Sequence, residues 1–176
     1  MSYKKYIDLV LKWNKTHSVT NYNREELKGQ IEDTIKAIQY LPKNIKTAID
    51  IGTGAGIPGL ILAIAMPETE WYLIEPLQKR YSFLNYAKLS LNLKNVKVIP
   101  KRIENIEPFK TDLITSRAVK NSEFLINLSK EFIDENTIML LYKGDRGEEE
   151  IQNIDAKKTI YKQNRLNYII LEEIKC

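Results

Sequence analysis

Thr47-Ala48-Ile49-Asp50-Ile51-Gly52-Thr53-Gly54-Ala55-Gly56-Ile57-Pro58-Gly59 is the stretch that decides the fold of this 176-residue chain. It lies in a β-branched apolar run, Ile45 to Ile51, broken by Asp50. It passes through three glycines at alternate positions and enters a second apolar run, Leu60 to Ala65. That order reads as strand, turn and helix. Glycine reaches backbone angles closed to other residues and lets a ligand approach the main chain. The following helix points its free N–H groups and the positive end of its dipole at the turn. Pro58 suits the first turn of that helix, where its missing N–H costs nothing. Such a turn is built to hold a nucleoside-containing ligand.

Two ligand classes use this architecture. Gly54-Ala55-Gly56-Ile57-Pro58-Gly59 matches the dinucleotide fingerprint G-x-G-x-x-G. Asp50-Ile51-Gly52-Thr53-Gly54-Ala55-Gly56 matches the S-adenosylmethionine (SAM) version, an acid at the strand end followed by G-x-G-x-G. Glu70 to Glu75 reads as a second strand ending in an acid, and Glu75 lies 23 positions past Gly52. Both folds place a carboxylate there for ribose hydroxyls. Length favours the SAM class, because a dehydrogenase usually adds a second half-sheet and a substrate domain.

Working outward, residues 2–14 carry Tyr6, Leu9, Val10 and Trp13 at helical spacing, with Lys4, Lys5, Lys12 and Lys15 around them. Residues 24–41 repeat the pattern, with Asn23 as N-cap, Glu26 at the capping-box position and Pro42 as the stop. Downstream the chain reads as a helix over 78–92, a strand over 95–99, a strand over 112–116, a helix over 122–133 and a strand over 137–142. A short helix from Glu148 follows. The segments 157–162 and 167–174 alternate as an antiparallel hairpin should. The expected fold is therefore α/β: a Rossmann-like, doubly wound, mostly parallel sheet of the SAM-dependent methyltransferase type. It carries a C-terminal antiparallel hairpin and an N-terminal helical extension. Residues 1–42 form the extension and residues 43–176 the methyltransferase domain.

Composition sets limits. Hydrophobic residues make up 43% of the chain, enough for a core, and no uninterrupted apolar run approaches the roughly 18 residues of a membrane-spanning helix. The N-terminus lacks a signal-peptide pattern. The single cysteine, Cys176, excludes an internal disulfide and argues against a metal cluster or thiol nucleophile. A cytoplasmic, metal-free monomer is the expectation. His17 is the one histidine and has no partner in sequence, which reads as a surface or cap residue. From Lys79 to Lys120 there are ten Lys/Arg against three Asp/Glu, so positive charge gathers on the ligand side and fits a phosphate-rich partner. Lys79 and Arg80 begin a helix, where cations oppose its dipole; anion contact, orientation of Glu75 or a simple exposed pair would each account for them. The loop after the third strand lies beside the adenine ring, which places Ile103 and Glu104 there. Arg117 ends the fourth strand at the topological switch point.

Taken together, the motifs resemble the glucose-inhibited division protein B family, the bacterial small-subunit rRNA guanine-N7 methyltransferases. The matching pieces are Trp13-Asn14-Lys15 with Val19-Thr20, the block Asp50 to Gly59, and Leu77-Gln78-Lys79-Arg80 with Phe83-Leu84. Arg102-Ile103-Glu104, Ser116-Arg117-Ala118 and Tyr142-Lys143-Gly144 complete the set. The resemblance implies SAM as methyl donor and N7 of a guanosine in 16S rRNA, near the decoding centre, as acceptor. The partner is the rRNA or the small ribosomal subunit. The implied cofactor contacts are Gly52, Ile57, Ile103, Glu104 and Arg117, joined on physical grounds by Gly54 and Glu75. The RNA-facing candidates are Lys79, Arg80, Lys101, Arg102, Arg117 and Lys143. The chain departs from the family's His-Ile-x-Asp-Ser pattern, carrying Gln30-Ile31-Glu32-Asp33-Thr34 instead.

Guanine N7 offers an unprotonated lone pair at neutral pH, so no general base is required and alignment supplies the acceleration. No catalytic side chain is assigned on this reading. There is no cysteine of the kind base-C5 methylation needs and no Asn/Asp-Pro-Pro-Tyr/Phe motif for exocyclic amines. Three other readings share the core: a methyltransferase of a small molecule or protein, a nicotinamide-dinucleotide module, and a non-catalytic RNA-binding relic.

Overall fold

The computed structural model describes residues 2–117, 121–163 and 166–175. Ala118, Lys120 and Cys176, named above, lie outside the described residues. Seven strands form one sheet in the order β3-β2-β1-β4-β5-β7-β6. They are β1 (Thr47–Ile51), β2 (Glu70–Ile74), β3 (Val96–Ile99), β4 (Leu113–Arg117), β5 (Ile138–Lys143), β6 (Lys157–Gln163) and β7 (Leu166–Glu172). The first five run parallel, and β7 lies antiparallel between β5 and β6. The helices are α1 (Ser2–Asn14), α2 (Arg24–Lys36), α3 (Gly59–Ala65), α4 (Gln78–Leu91), α5 (Ser122–Ser129) and the single turn α6 (Gly147–Glu150).

The central strands read as nearly unbroken apolar runs because both faces of the sheet are covered. Successive side chains still alternate between two cores. Ala48, Trp71, Leu73, Leu113 and Leu140 face α1 to α4, meeting Tyr6, Leu27, Leu60, Phe83 and Leu84. Ile49, Ile74, Ile114, Met139 and Leu141 face the other way, onto Leu125, Ile126 and Phe132 from α5 and its following turn.

Helix α1 packs on α4 through an edge-on contact of Tyr6 with Phe83, ring centroids 6.5 Å apart. Helix α2 begins with the capping box read from the sequence. The Asn23 side chain accepts from the Glu25 and Glu26 N–H groups, and Glu26 accepts from the Asn23 N–H at 2.7 Å. It ends at Lys36 and runs into a 3-10 turn, Ala37–Tyr40, because Pro42 holds Leu41 in extended backbone. Tyr168 on β7 donates to the Asp33 carbonyl at 2.8 Å, which fastens α2 over the hairpin end of the sheet.

Strand ends shift by one or two residues from the sequence reading, and two further helix boundaries differ. Pro58 stands just ahead of α3 rather than within its first turn, since the Gly59 N–H is used by Asp50. Helix α5 stops at Ser129, whose hydroxyl donates back to the Leu125 carbonyl, and a 3-10 turn, Lys130–Phe132, completes the segment. Among the described residues, no helix is long and apolar enough to cross a membrane.

Candidate active site

The glycine turn connects β1 to α3 at the carboxyl edge of the sheet, beside β4, where the strand order reverses. Gly52, Gly54 and Gly56 all have positive φ, at 70°, 61° and 93°. Gly52 has open space where a Cβ would stand, and Gly54 meets only the Gly52 carbonyl at 3.9 Å. The main chain at these two residues is bare, a cradle whose free volume a side chain would fill.

Two buried acids hold the turn. Asp50 takes the Gly59 N–H at 2.9 Å, anchoring the start of α3 to β1. Burial pushes its carboxyl up to about 7, Glu75 adds to the rise, and the Thr53 hydroxyl and Gly59 N–H oppose it. The Thr53 hydroxyl eases ionisation without making a hydrogen bond of normal geometry. Glu75, at the end of β2, is 2% exposed. It accepts from the Gly54 N–H at 2.9 Å and the Leu77 N–H at 3.0 Å. Arg80 lies 3.8 Å from the same carboxylate, so its place at the head of α4, unfavourable to the helix dipole, is balanced by Glu75.

A cavity of about 210 Å³ opens above the turn. Gly52, Gly54, Ile57 and Arg117 of the cofactor candidates line it, as does Arg80. Val19, Thr20, Tyr22 and Gln30 also line it, from the α1–α2 linker and α2. Asn14 shapes that linker by accepting from the Val19 N–H at 2.9 Å and donating to the Thr20 carbonyl at 2.8 Å. Tyr6 fixes the other end of the roof, donating to the Ala55 carbonyl at 2.7 Å. The residue-by-residue reading missed Gln30 and Tyr22. The available signals were the Trp13-Asn14…Val19-Thr20 match and the departure from the family pattern at Gln30.

Arg117 leaves β4 beside the Tyr142 ring, 5.5 Å from its centroid, and Ser116 ties β4 to the end of β1 by donating to the Ile51 carbonyl at 2.9 Å. One guanidinium nitrogen of Arg117 is buried with no hydrogen-bond partner, and so is the side-chain oxygen of Gln30. A donor and an acceptor thus stand unsatisfied around one cavity, as expected where a polar ligand completes the site.

The remaining candidates do not line this cavity. Ile103 opens a 3-10 turn, Ile103–Asn105, and is buried in the core beneath it, while Glu104 is exposed. Lys79, Lys101 and Arg102 are exposed. Lys143 has a side chain only 10% exposed and pairs with Glu150 at 2.6 Å, so it is not an outward cation. His17 is exposed and stands beside Trp13. No group of His, Cys, Asp and Glu suited to a metal ion occurs among the described residues.

Bare glycine main chain, a buried acid under it and unsatisfied groups around it fit the adenosyl and amino-acid parts of SAM. Gly52, Gly54, Glu75 and Arg117 are the residues that would hold it. Removal of Glu75 should loosen the turn and the ribose site together. Glu75→Ala is expected to weaken SAM binding by about 1.5–3 kcal/mol, the usual range for hydrogen bonds to a charged group. Calorimetry showing wild-type affinity would remove Glu75 from the site.

The chain matches the model of the GidB family, rRNA small subunit methyltransferase G, over residues 1–174. It is 44% identical over 170 residues to the ribosomal RNA small subunit methyltransferase G of Campylobacter fetus, covering 96% of this chain and 92% of that protein. It is 40% identical over 173 residues to the protein of the same name from Helicobacter pylori, covering 97% and 96%. Among solved structures, a SAM-dependent methyltransferase from Aquifex aeolicus superposes with a TM-score of 0.64 at 15% identity, over 81% of this chain and 90% of that one. A structure of MtNAS in complex with MTA and tNA superposes with a TM-score of 0.68 at 13% identity, over 98% and 70%.

Proposed function

The chain belongs to the rRNA small subunit methyltransferase G family, and on that premise we propose that it transfers the methyl group of SAM to N7 of a guanosine in 16S rRNA near the decoding centre. The observation that carries this reading is the cavity over the glycine turn, with Arg117 and Gln30 left unsatisfied around it.

SAM, when bound, supplies a sulfonium methyl group open to nucleophilic attack. The rest is the work of the chain. Gly52 and Gly54 offer bare main chain to the ligand, and Glu75 keeps Gly54 in place from beneath the ribose site. Arg117 contributes a donor for a carboxylate or a phosphate. Ile103 and Glu104 serve the adenine end through the turn that follows β3. The α1–α2 linker, pinned by Asn14, roofs the cavity and keeps water out. Lys79, Arg80, Lys101 and Arg102 give the RNA backbone a positive approach, with Lys143 structural through its pairing to Glu150. On this reading residues 1–42 are a helical extension that completes the site of the methyltransferase domain, residues 43–176. The protein acts as a cytoplasmic monomer on rRNA or the small subunit.

The lining favours a ring nitrogen as acceptor. None of its side chains is a histidine, cysteine, lysine or carboxylate. A base is not needed for N7, whose lone pair is free, and alignment supplies the rate. At saturating substrates the single-turnover rate should stay nearly flat from about pH 6.5 to 8.5, because no reacting group must lose a proton. A tenfold rise per pH unit would show a required deprotonation and point to an exocyclic amine or a protein acceptor. The decisive experiment supplies radiolabelled SAM with small ribosomal subunits, naked 16S rRNA or total protein. Label in 16S rRNA, mapped to guanine N7, supports the reading; label in protein alone overturns it.

A further inference from the structure

A second cavity, of about 320 Å³, lies between the end of α1 and the middle of α4, outside the site described above. Lys12, Trp13, Thr16, His17 and Tyr86 line it. Trp13 and Tyr86 stack with ring centroids 5.3 Å apart and planes inclined by 30°, and the His17 ring lies 5.8 Å from Trp13. The Trp13 indole N–H is buried without an acceptor. A tryptophan normally finds a partner for that group when it is buried.

Lys12 is the charged residue of the lining, and the two segments that flank the cleft carry no acid. From Leu9 to Arg24 and from Pro76 to Ile103 the sequence contains no Asp or Glu, against three and seven Lys/Arg. The nearest acid on α1, Asp8, is paired with Arg24 at 2.7 Å. A lysine beside a wall of aromatic rings, on segments rich in Lys and Arg, suits an unpaired nucleotide. The rings give a base its stacking surface, and the lysines track the phosphates. An acidic peptide would use the charge but not the rings.

Resting on the RNA reading above, we propose that this cleft is a second nucleotide subsite, which takes an unpaired base of the RNA close to the target guanosine. The base stacks on the Trp13–Tyr86–His17 wall and receives the indole N–H, while Lys12 meets its phosphate. The placement suits a neighbour of the target. Arg80 lines the first cavity and Tyr86 the second, six residues or about 9 Å apart along α4. Asn14, adjacent to Trp13, holds the linker that roofs the first cavity.

Trp13 is its own reporter, since the other tryptophan, Trp71, is fully buried. The intact protein is titrated with a short, unstructured oligouridylate, following tryptophan fluorescence and, separately, the anisotropy of a labelled copy. Saturable quenching is expected at the anisotropy midpoint. Trp13→Phe should lose the quenching and weaken binding by roughly 2- to 10-fold, because the ring remains but the indole donor is gone. Tyr86→Ala should weaken the oligonucleotide on the order of tenfold and leave SAM affinity unchanged. Lys12→Glu, at an exposed position that leaves the packing alone, should weaken it as well. Polyglutamate should produce no quenching. Oligonucleotide binding without quenching, wild-type affinity in Tyr86→Ala and Lys12→Glu, or equal quenching by polyglutamate overturns the subsite. Methyl transfer to the small subunit is assayed alongside. Quenching without transfer condemns the proposed function alone, and transfer without quenching condemns the subsite alone.

Discussion

Gly59→Ala is expected to destabilise the protein by roughly 3 kcal/mol and to remove tight cofactor binding, the usual scale for overfilling a packed core that also loses a buried hydrogen bond. An added Cβ would run into Leu73 Cδ2, and would lie 2.6 Å from Asp50 Oδ2 and 2.8 Å from Asp50 Cβ. Leu73 and Asp50 are fully buried, so neither can swing aside. The start of α3 must lift away from β1 and break the Gly59–Asp50 hydrogen bond. The glycine turn, strung between those two elements, moves with it. Gly29, in α2, has nothing within 4 Å of its Cβ position, so Gly29→Ala is the control. It should gain about 0.5–1 kcal/mol of helix stability. Urea unfolding of both variants checks the pair, and a Gly59→Ala protein of wild-type stability would refute the close-packing role.

The second large effect concerns Asp50 and pH. Its carboxyl titrates near 7 in the folded protein, against 3.8 when exposed. Between those values the folded state holds more protons than the unfolded one, so stability falls as pH rises. The loss begins above the unfolded value and is complete above the folded one. It amounts to something on the order of 4 kcal/mol. Asp50→Asn keeps an oxygen for the Gly59 N–H and removes the charge. The variant should match the wild type near pH 4 and exceed it by up to that amount near pH 8. Unfolding curves across the pH range report the difference, in which other carboxylates cancel. Parallel curves for the two proteins would mean that Asp50 ionises normally.

Much of this architecture was legible from residue patterns. The glycine turn, the acid 23 positions on and the alternating C-terminal pair each rest on local geometry, and each appears in the sheet. The capping box at Asn23 was equally local. What escaped was anything needing two distant segments. The departure from the family pattern marks Gln30, but no local rule places α2 and its preceding linker over a turn that begins at Gly52. Lys143 looked like an outward cation because its pairing with Glu150 and its burial arise only when α6 folds back. The burial of Ile103 depends on the core under β3, which its own loop does not reveal. The close fit of Gly59 against Leu73 likewise needs β2 in place beside β1.

The hydrogen bond from Tyr6 to Ala55 has a consequence for the order in which the chain is made. Helix α1 is made before the partners it packs on: Ala55 in the turn, then Phe83 and Tyr86 on α4. At about 5–20 residues per second, roughly 4–15 s pass between completion of α1 and completion of α4. A thirteen-residue helix is marginal alone in water. For that interval Tyr6, Leu9 and Val10 have α2, with Leu27 and Ile31, to pack against but not α4. The nascent chain therefore carries an apolar stripe that a later segment, α4, must complete, although the turn at Ala55 and its roof residues are already made.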